Sequence, residues 1–376
     1  MKFICTQQNF LKGVTSAEKI ISRNFTLPIL QNVLIKCEPQ TGFITLAATD
    51  LEMGLTIHIP AKVEEGGSLT APAKLVGGLA RTLPQENIVI SAKNNTLSLE
   101  CKNYKSNIKG EPTGEFPLIP ASKTTDELDM KTQDFFNGVG AVISSASALE
   151  VKPELTGVFV QFREDSMCFT ATDSFRLSEK VIPFQKKNLY IQKAIVPKKS
   201  ADAILRIFEG QGDDLSLCIE GNQIFVKNKE ASSSLEKVWF VSRIIDGEYP
   251  DYEQIIPSSF RTTVVVAQEE IARHIKSASL FSQKMNEIVL CVNQKKQQLE
   301  ILSQDQERGD YHSILPCSIE GEEGKLVFNS SYLLDGVQAV SGPMLSIKIN
   351  HDTGPILVSS VEYDGFRYVL MPIKAQ

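Results

Sequence analysis

The chain has 376 residues, 42% hydrophobic and 22% charged, with a formal net charge of −6, and its length predicts two or three domains of about 150 residues. No apolar run approaches the ~20 residues of a membrane span, and the polar start MKFICTQQNFLKG lacks a secretory signal, so we expect a soluble, cytoplasmic protein. Seven scattered cysteines without a CxxC pair argue against a disulfide framework and a zinc site.

In chain order, the sequence predicts six helices separated by groups of strands. Asn9, Asp134, Pro197 and Asn329 suit a helix cap or first turn. Runs such as FITLAATD, GVFVQFRE and LSIKIN alternate or are rich in β-branched residues, which is typical of strands. The predicted helices are 8–23, 73–83, 133–148, 198–209, 269–285 and 330–340. We therefore predict an α+β fold built from antiparallel sheets.

Two pairs of motifs recur at nearly the same offset. QNFLKGV from Gln8 is matched by QDFFNGV from Gln133, 125 residues later. ATDLEMGLT from Ala48 is matched by ATDSFRLSE from Ala171, 123 residues later. Two matches at one spacing indicate an internal repeat, which decides the fold class before any single motif does.

Two related segments mark the ends of the first two repeats. GEFPLIP from Gly114 has its counterpart in GEYPDYEQIIP from Gly247, and SQDQERGDY lies in the middle of a third, more diverged copy. The sequence therefore predicts three domains, 1–124, 125–259 and 260–376.

The predicted helices are more basic than the rest of the chain. Lys and Arg exceed Asp and Glu by four over the six helices, so the remainder of this chain carries −10. A weakly basic helical surface suits a protein that admits a polyanion without gripping it, although the helix propensity of Lys and Arg is an alternative explanation. Twelve helices from two chains, spaced ~8–10 Å apart, would enclose a hole of about 21–28 Å, wide enough for duplex DNA.

Three segments together resemble the bacterial sliding clamp family, the β subunit of the replicative DNA polymerase III holoenzyme. They are TLPILQNVLI from Thr26, ATDSFRLS from Ala171 and the final YVLMPIKAQ, with DGEYPDY from Asp246 as a further match. The resemblance implies three repeated clamp-type domains (the DNA clamp fold) and a head-to-tail, ring-shaped homodimer with helices lining the inside and antiparallel sheets outside. It also implies a non-catalytic processivity factor, loaded onto double-stranded DNA by an ATP-driven clamp loader.

The resemblance further implies a peptide-binding pocket between the second and third domains, for short linear peptides of the replicative polymerase, the clamp loader, other polymerases and repair proteins. The matching positions are Leu155, Thr172, Ser174, Phe175, Arg176, Leu177, Pro250, Gln254, Ile255, Pro355, Val369, Met371, Pro372 and Ile373. The residues matching DNA-binding positions are Arg23, Lys198 and Lys199. Those matching the dimer interface are Ile108, on an edge strand, and Leu280 and Phe281, at a helix end of the partner chain.

The chain departs from the family pattern in two places. Ser174 and Phe175 stand where Gly and His are frequent, and the chain ends in Ala375 and Gln376 where Arg-Leu is familiar. The peptide preference of the pocket therefore stays open.

Two alternatives to a clamp remain open: a hydrolase of unknown type, and a monomeric protein-interaction scaffold without DNA. The chain has no GxxxxGK[ST], GxGxxG, HExxH or GxSxG motif, and only four histidines. Thr172 and Asp173 place a hydroxyl beside an acid, but adjacent strand residues point to opposite faces of a sheet. We predict no catalytic site, cofactor or metal.

Overall fold

The computed structural model describes residues 1–21, 27–124, 126–184, 191–229, 237–282, 286–362 and 365–373. The helices in these ranges are α1 Gln7–Glu18, α2 Ala73–Thr82, α3 Thr132–Val142, α4 Lys198–Phe208, α5 Gln268–Ser279 and α6 Ser330–Ala339. The strands are β1 Lys2–Thr6, β2 Asn32–Cys37, β3 Phe43–Thr49, β4 Met53–Pro60, β5 Lys62–Glu65, β6 Gly67–Pro72, β7 Asn87–Lys93, β8 Thr96–Cys101, β9 Tyr104–Lys109, β10 Leu128–Lys131, β11 Gly157–Phe162, β12 Ser166–Thr172, β13 Arg176–Pro183, β14 Gln192–Pro197, β15 Asp214–Glu220, β16 Gln223–Asn228, β17 Lys237–Arg243, β18 Thr262–Ala267, β19 Glu287–Asn293, β20 Gln298–Asp305, β21 Gly309–Pro316, β22 Ser318–Glu320, β23 Gly324–Asn329, β24 Met344–Ile349, β25 Ile356–Ser360 and β26 Phe366–Leu370.

The chain divides into two compact units. Unit 1 comprises residues 1–135 and 199–244, and unit 2 comprises 136–198 and 245–376. Unit 1 holds a five-stranded sheet, β5-β1-β7-β8-β9, and an eight-stranded sheet, β10-β15-β16-β17-β4-β3-β2-β6. Unit 2 holds a nine-stranded sheet, β14-β11-β12-β13-β26-β25-β24-β18-β22, and a four-stranded sheet, β21-β20-β19-β23. Each sheet is antiparallel, so the predicted α+β class is confirmed.

Each large sheet joins strands from two of the three predicted domains. In unit 1, β17 pairs with β4, and in unit 2, β13 pairs with β26. The side chains of β4 alternate as expected for a sheet with one covered face: Leu55, Ile57 and Ile59 are buried, whereas Thr56 and His58 are half-buried on the other face. The domain limits at 124 and 259 stay a prediction.

The repeated sequence motifs form three similar β-hairpin turns. Asp50, Asp173 and Asp305 each accept, through Oδ1, hydrogen bonds from the main-chain N–H groups two and three residues further on, at 2.8–3.1 Å. In the first two hairpins the residue after the aspartate is left-handed, with φ of 77° at Leu51 and 76° at Ser174. The recurring ATD and SQD motifs are therefore one turn, set by an aspartate that caps free N–H groups.

The repeated glycine of the first motif pair lets a helix approach a strand closely. A Cβ at Gly13 would lie 2.4 Å from Ile59 Cδ1, and one at Gly138 would lie 2.2 Å from Phe169 Cε2. Both distances are far inside van der Waals contact. This glycine is therefore a packing requirement of α1 and α3.

Three helices are shorter than predicted, which corrects the predicted ends at residues 23, 148 and 285. α1 ends at Glu18, α3 at Val142 and α5 at Ser279. After α3 the chain tightens into a 3₁₀ turn over Ile143–Ser145. The residues after α3 are rich in serine and include a β-branched isoleucine, and both residue types have a low helix propensity. Residues 22, 23 and 283–285 lie outside the described ranges.

We expect Gly138→Ala to lower the free energy of unfolding by about 1–3 kcal/mol, because the added methyl group must displace the buried Phe169 ring. Urea unfolding followed by circular dichroism measures the change. Gly140→Ala on the same helix is the control, since a Cβ there meets nothing within 4 Å. It should be neutral or stabilising by up to about 1 kcal/mol. Equal effects at both positions would contradict the close-approach argument.

Candidate functional site

An apolar cluster lies in unit 2 where β13 pairs with β26. We call it the β13–β26 cluster. Its buried members are Leu155, Phe159, Leu177, Ile195, Tyr249, Tyr252, Leu357 and Val369. Strand register brings Leu177 opposite Val369, and Val369 opposite Leu357 on β25. Three residues predicted for the peptide pocket, Leu155, Leu177 and Val369, are thus brought together, each no more than 5% exposed.

The segment 245–260 packs on this cluster through aromatic side chains. The Tyr249 ring stacks on Phe159 at 4.6 Å between centroids, and Tyr252 meets Tyr249 edge-on at 6.3 Å. The Tyr249 hydroxyl is buried, and burial raises the pKa of this phenol. The predicted residues of this segment, Pro250, Gln254 and Ile255, are exposed. They therefore form its outer surface.

Exposed apolar side chains border the cluster. Phe175 is 61% exposed, Ile255 54% and Met371 41%. The Met371 N–H donates to the Phe175 carbonyl at 2.9 Å, which holds these two residues side by side. Large apolar groups left in water beside an apolar cluster are typical of a surface that binds another chain. We call Phe175, Ile255 and Met371 the apolar rim.

The remaining apolar residues predicted for the pocket belong to the chain segments around β25 and β26. Pro355 is half-buried directly before β25, and Pro372 is buried directly after Met371. The Ile373 N–H donates to the Val327 carbonyl at 2.8 Å, so its main chain is anchored on β23. Ala375 and Gln376 lie outside the described residues.

The predicted polar residues of the pocket are engaged within the chain. Arg176 donates to Asp173 Oδ2 at 3.0 Å, to Asp335 Oδ2 at 2.6 Å and to the Ser144 carbonyl at 2.7 Å. The Thr172 hydroxyl donates to the Arg176 carbonyl at 2.6 Å. Burial opposes the charge of Arg176, but Tyr368 and the two carboxylates keep its pKa above the usual value. These two side chains brace the turn, and Arg176 also ties it to α6.

Sequence reasoning missed a buried carboxylate beneath the segment 245–260. Glu179 is 1% exposed, accepts a hydrogen bond from the Tyr252 hydroxyl at 2.8 Å, and accepts another from Arg367 Nε at 2.7 Å. Burial raises the pKa of the Tyr252 phenol. A buried charge must be paired, so Glu179 fastens the aromatic segment to β13 and β26. An isolated Glu in a strand carries no signal of this role.

The two lysines predicted to bind DNA have different surroundings. In unit 2, Lys198 Nζ donates to the Ala146 carbonyl at 3.1 Å, and burial followed by repulsion from Arg176 lowers its pKa. In unit 1, the Lys199 side chain is 66% exposed and pairs with Asp50 at 2.5 Å. Lys199 is therefore the more available cation. Arg23 lies outside the described residues.

The residues predicted for the dimer interface lie beside two sheet edges. Ile108 is on β9, an edge strand of unit 1, but its side chain is only 4% exposed and packs inward. Leu280, at the end of α5 in unit 2, is 66% exposed. Phe281 stacks on Tyr311 of the edge strand β21 at 5.9 Å.

The described residues contain no group of three or more His, Cys, Asp or Glu side chains placed to hold a metal ion. Within the same ranges, no helix combines the length and apolar character needed to cross a bilayer.

Comparison with known proteins gives a consistent result over the whole chain. Models for the N-terminal, central and C-terminal domains of the DNA polymerase III beta subunit match residues 1–120, 129–251 and 253–374. The beta sliding clamps of Synechocystis sp. and Bacillus subtilis are 26% and 24% identical, with all of this chain and 99% and 100% of those proteins covered. The solved sliding clamp of Bacillus subtilis has a TM-score of 0.92 at 23% identity, and the DNA polymerase beta subunit of Streptococcus pyogenes has 0.92 at 20%, both covering each chain fully.

We expect Ser174→Gly to raise the free energy of unfolding by about 0.5–1 kcal/mol, because glycine adopts the φ of 76° without steric cost. Leu51→Gly, at the equivalent position with φ of 77°, should behave alike. Ser258→Gly is the control, because Ser258 is exposed and does not adopt a positive φ. This substitution should slightly lower the free energy of unfolding. Urea unfolding of the three variants tests the prediction. Destabilisation by Ser174→Gly would contradict it.

Proposed function

The chain belongs to the DNA polymerase III beta subunit family, and from that premise we propose that it is a sliding clamp, a cytoplasmic ring around duplex DNA that tethers the replication machinery. The observation that carries the proposal is the ordered match of three domain models over a chain that repeats one hairpin turn three times. The sequence prediction of a non-catalytic processivity factor agrees with this family. Neither a hydrolase nor a monomeric scaffold finds support in it.

We propose a head-to-tail homodimer in which β9 of one chain meets the β21 edge of a second copy. Both strands end their sheets in the described part of the chain. An uncovered edge invites pairing with another strand. Tyr104 on β9, Ile314 on β21 and Leu280 beside it are 52%, 48% and 66% exposed, which supplies apolar area for such a contact. Because the two edges differ, the contact is heterologous, and two copies close a ring.

DNA binding in such a ring needs only weak attraction to phosphates. Lys199 is the best placed of the described candidates, because a phosphate could compete with Asp50 for its exposed ammonium group. Lys198 is the poorer candidate, since burial and the Ala146 carbonyl already hold it. DNA binding by Arg23 stays a prediction, because this residue lies outside the described ranges. Retention on DNA would then depend on ring closure more than on any one contact.

We propose that partner peptides dock on the β13–β26 cluster and the apolar rim. The rim supplies exposed apolar anchors, and the buried cluster beneath supplies a firm floor. Apolar anchors in a preformed pocket dominate the affinity of short peptides. Since the side-chain donors of Thr172 and Arg176 are engaged internally, main-chain groups are the available polar contacts. The replicative polymerase, the clamp loader and repair proteins are the expected partners.

A topological tether should stay on closed DNA and leave open DNA. We expect the chain, loaded onto nicked circular DNA by a clamp loader and ATP, to co-elute with the circle on gel filtration. Cutting the circle with a restriction enzyme should release it, because the ring slides off the ends.

The control is the same digestion on a circle whose ends are blocked by a bound protein, where the clamp should remain. Sedimentation should give a mass about twice the 41.6 kDa of the chain. Equal loss from circular and linear DNA, or a monomer at micromolar concentration, would contradict the ring.

Phe175→Ala and Met371→Ala should each weaken binding of the replicative polymerase's clamp-binding peptide by about tenfold, since each removes an apolar anchor. Their melting temperatures should stay unchanged, because both side chains are exposed. Fluorescence anisotropy with labelled peptide measures the affinity. Leu118→Ala is the matched control, since Leu118 is 98% exposed and lies outside the cluster. Unchanged affinity in both rim variants would contradict this peptide site but would not bear on the proposed ring.

A further inference from the structure

The repeat allows the two large sheets to be compared position by position. At the offset of 123 residues, β4 corresponds to β13, so Gly54 corresponds to Leu177 and Thr56 to Glu179. Each strand pairs with the last strand of the following repeat, β4 with β17 and β13 with β26. A linker lies over the corresponding position of each sheet: Ile119 of GEFPLIP meets Gly54 in unit 1, and the tyrosines of GEYPDYEQIIP cluster with Leu177 in unit 2.

The two linkers differ by four residues, and the difference removes one aromatic ring. In unit 2 the added residues include Tyr252, which is 4% exposed in the β13–β26 cluster and donates its hydroxyl to Glu179 at 2.8 Å. The shorter linker of unit 1 places Ile119 against Gly54. It has no residue corresponding to Tyr252.

Unit 1 has a cavity on this face of its sheet. Its volume is about 290 Å³, and Thr56, His58, Ile119, Glu127, Lys227 and Trp239 are among its lining residues. A cavity of about 150 Å³ already accepts a benzene ring. The space therefore suffices for one aromatic side chain together with part of its backbone.

The walls suit a planar aromatic group. The rings of Trp239 and His58 line the cavity and meet edge-on at 4.5 Å, and Phe43 stacks behind His58 at 4.1 Å. Burial, and then Lys237, lower the pKa of His58, which disfavours the charged imidazolium. Ile119 supplies an aliphatic wall.

The cavity also has a polar end with a fixed acceptor. The Glu127 carboxylate forms an ion pair with Lys227 Nζ at 2.7 Å and accepts a hydrogen bond from the Ser216 hydroxyl at 2.7 Å. Two carboxylate oxygens offer more acceptor sites than these two donors use. Glu127 can therefore accept a phenol hydroxyl, as Glu179 does from Tyr252 in unit 2.

We propose that this cavity is a second binding site, which takes a tyrosine side chain from an extended segment of a partner protein. The ring lies between Ile119 and Trp239, and the hydroxyl donates to Glu127. The incoming tyrosine thus lies on the face of the unit 1 sheet that corresponds to the face covered by Tyr252 in unit 2, with a different acceptor. The site is independent of the proposed peptide pocket, since it lies wholly within unit 1.

The test uses p-cresol, the tyrosine side-chain analogue, on the full-length chain. Trp239 is the single tryptophan, so its indole N–H gives one assignable signal in a ¹⁵N-labelled sample. We expect p-cresol to shift this signal saturably and to bind about tenfold tighter than toluene, because only p-cresol can donate to a charged acceptor. Blocked tyrosine amide should compete with it.

Thr56→Phe should abolish the p-cresol shift by filling the cavity. Thr45→Phe is the matched control on the neighbouring strand of the same face, outside the lining residues, and should leave binding intact. If Thr56→Phe fails to fold, Glu127→Gln serves instead: it should remove the preference for p-cresol over toluene while toluene binding persists. The site would be overturned if p-cresol gave no saturable shift in the folded wild-type chain. It would also be overturned if the folded Thr56→Phe variant, or Glu127→Gln in its place, bound p-cresol as the wild type does. Equal binding of toluene and p-cresol by the wild type would overturn the choice of tyrosine.

Discussion

Main-chain pairing between β13 and β26 joins residues that lie 188 positions apart, as Glu179 and Arg367 do. This pairing places Val369 opposite Leu177 and leaves one face of the joined sheet to be covered. Covering that face with apolar side chains is favourable, at about 25 cal/mol per Å² of apolar surface removed from water. The aromatic segment 245–260 supplies the cover. The candidate site exists only because two distant strands share this ladder.

The hairpin turn before β13 orients the edge of the site. Asp173 caps the turn, the Thr172 hydroxyl closes it, and Ser174 takes a left-handed conformation so that Phe175 points to solvent. Arg176 then binds the turn to α6 through Asp335. A rim residue on a braced turn loses little conformational entropy when a ligand binds, which favours affinity. The polar residues of this region thus contribute to ligand binding indirectly, because they hold the neighbouring apolar side chains in place.

The same architecture occurs twice with different covers. In unit 2 a longer linker brings Tyr252 onto the sheet, and a buried Glu179 holds the ring by its hydroxyl. In unit 1 a shorter linker leaves a cavity beside Trp239, with Glu127 as the acceptor at its border. Both units have the same strand pairing, because register and burial leave it little freedom. Their linkers differ in length, which the surface of each sheet tolerates.

Sequence alone determined the threefold repeat, the α+β class, the order of the elements and the family resemblance, because these follow from local periodicity and motif spacing. It also singled out Leu155, Leu177 and Val369, which the structure brings together. Only the tertiary structure decided that β4 pairs with β17 and β13 with β26, that Glu179 is buried under Tyr252, and that Arg176 is committed within the chain. Pairing between distant strands and the burial of a charge depend on groups far apart in sequence, and no local pattern records which of them will meet.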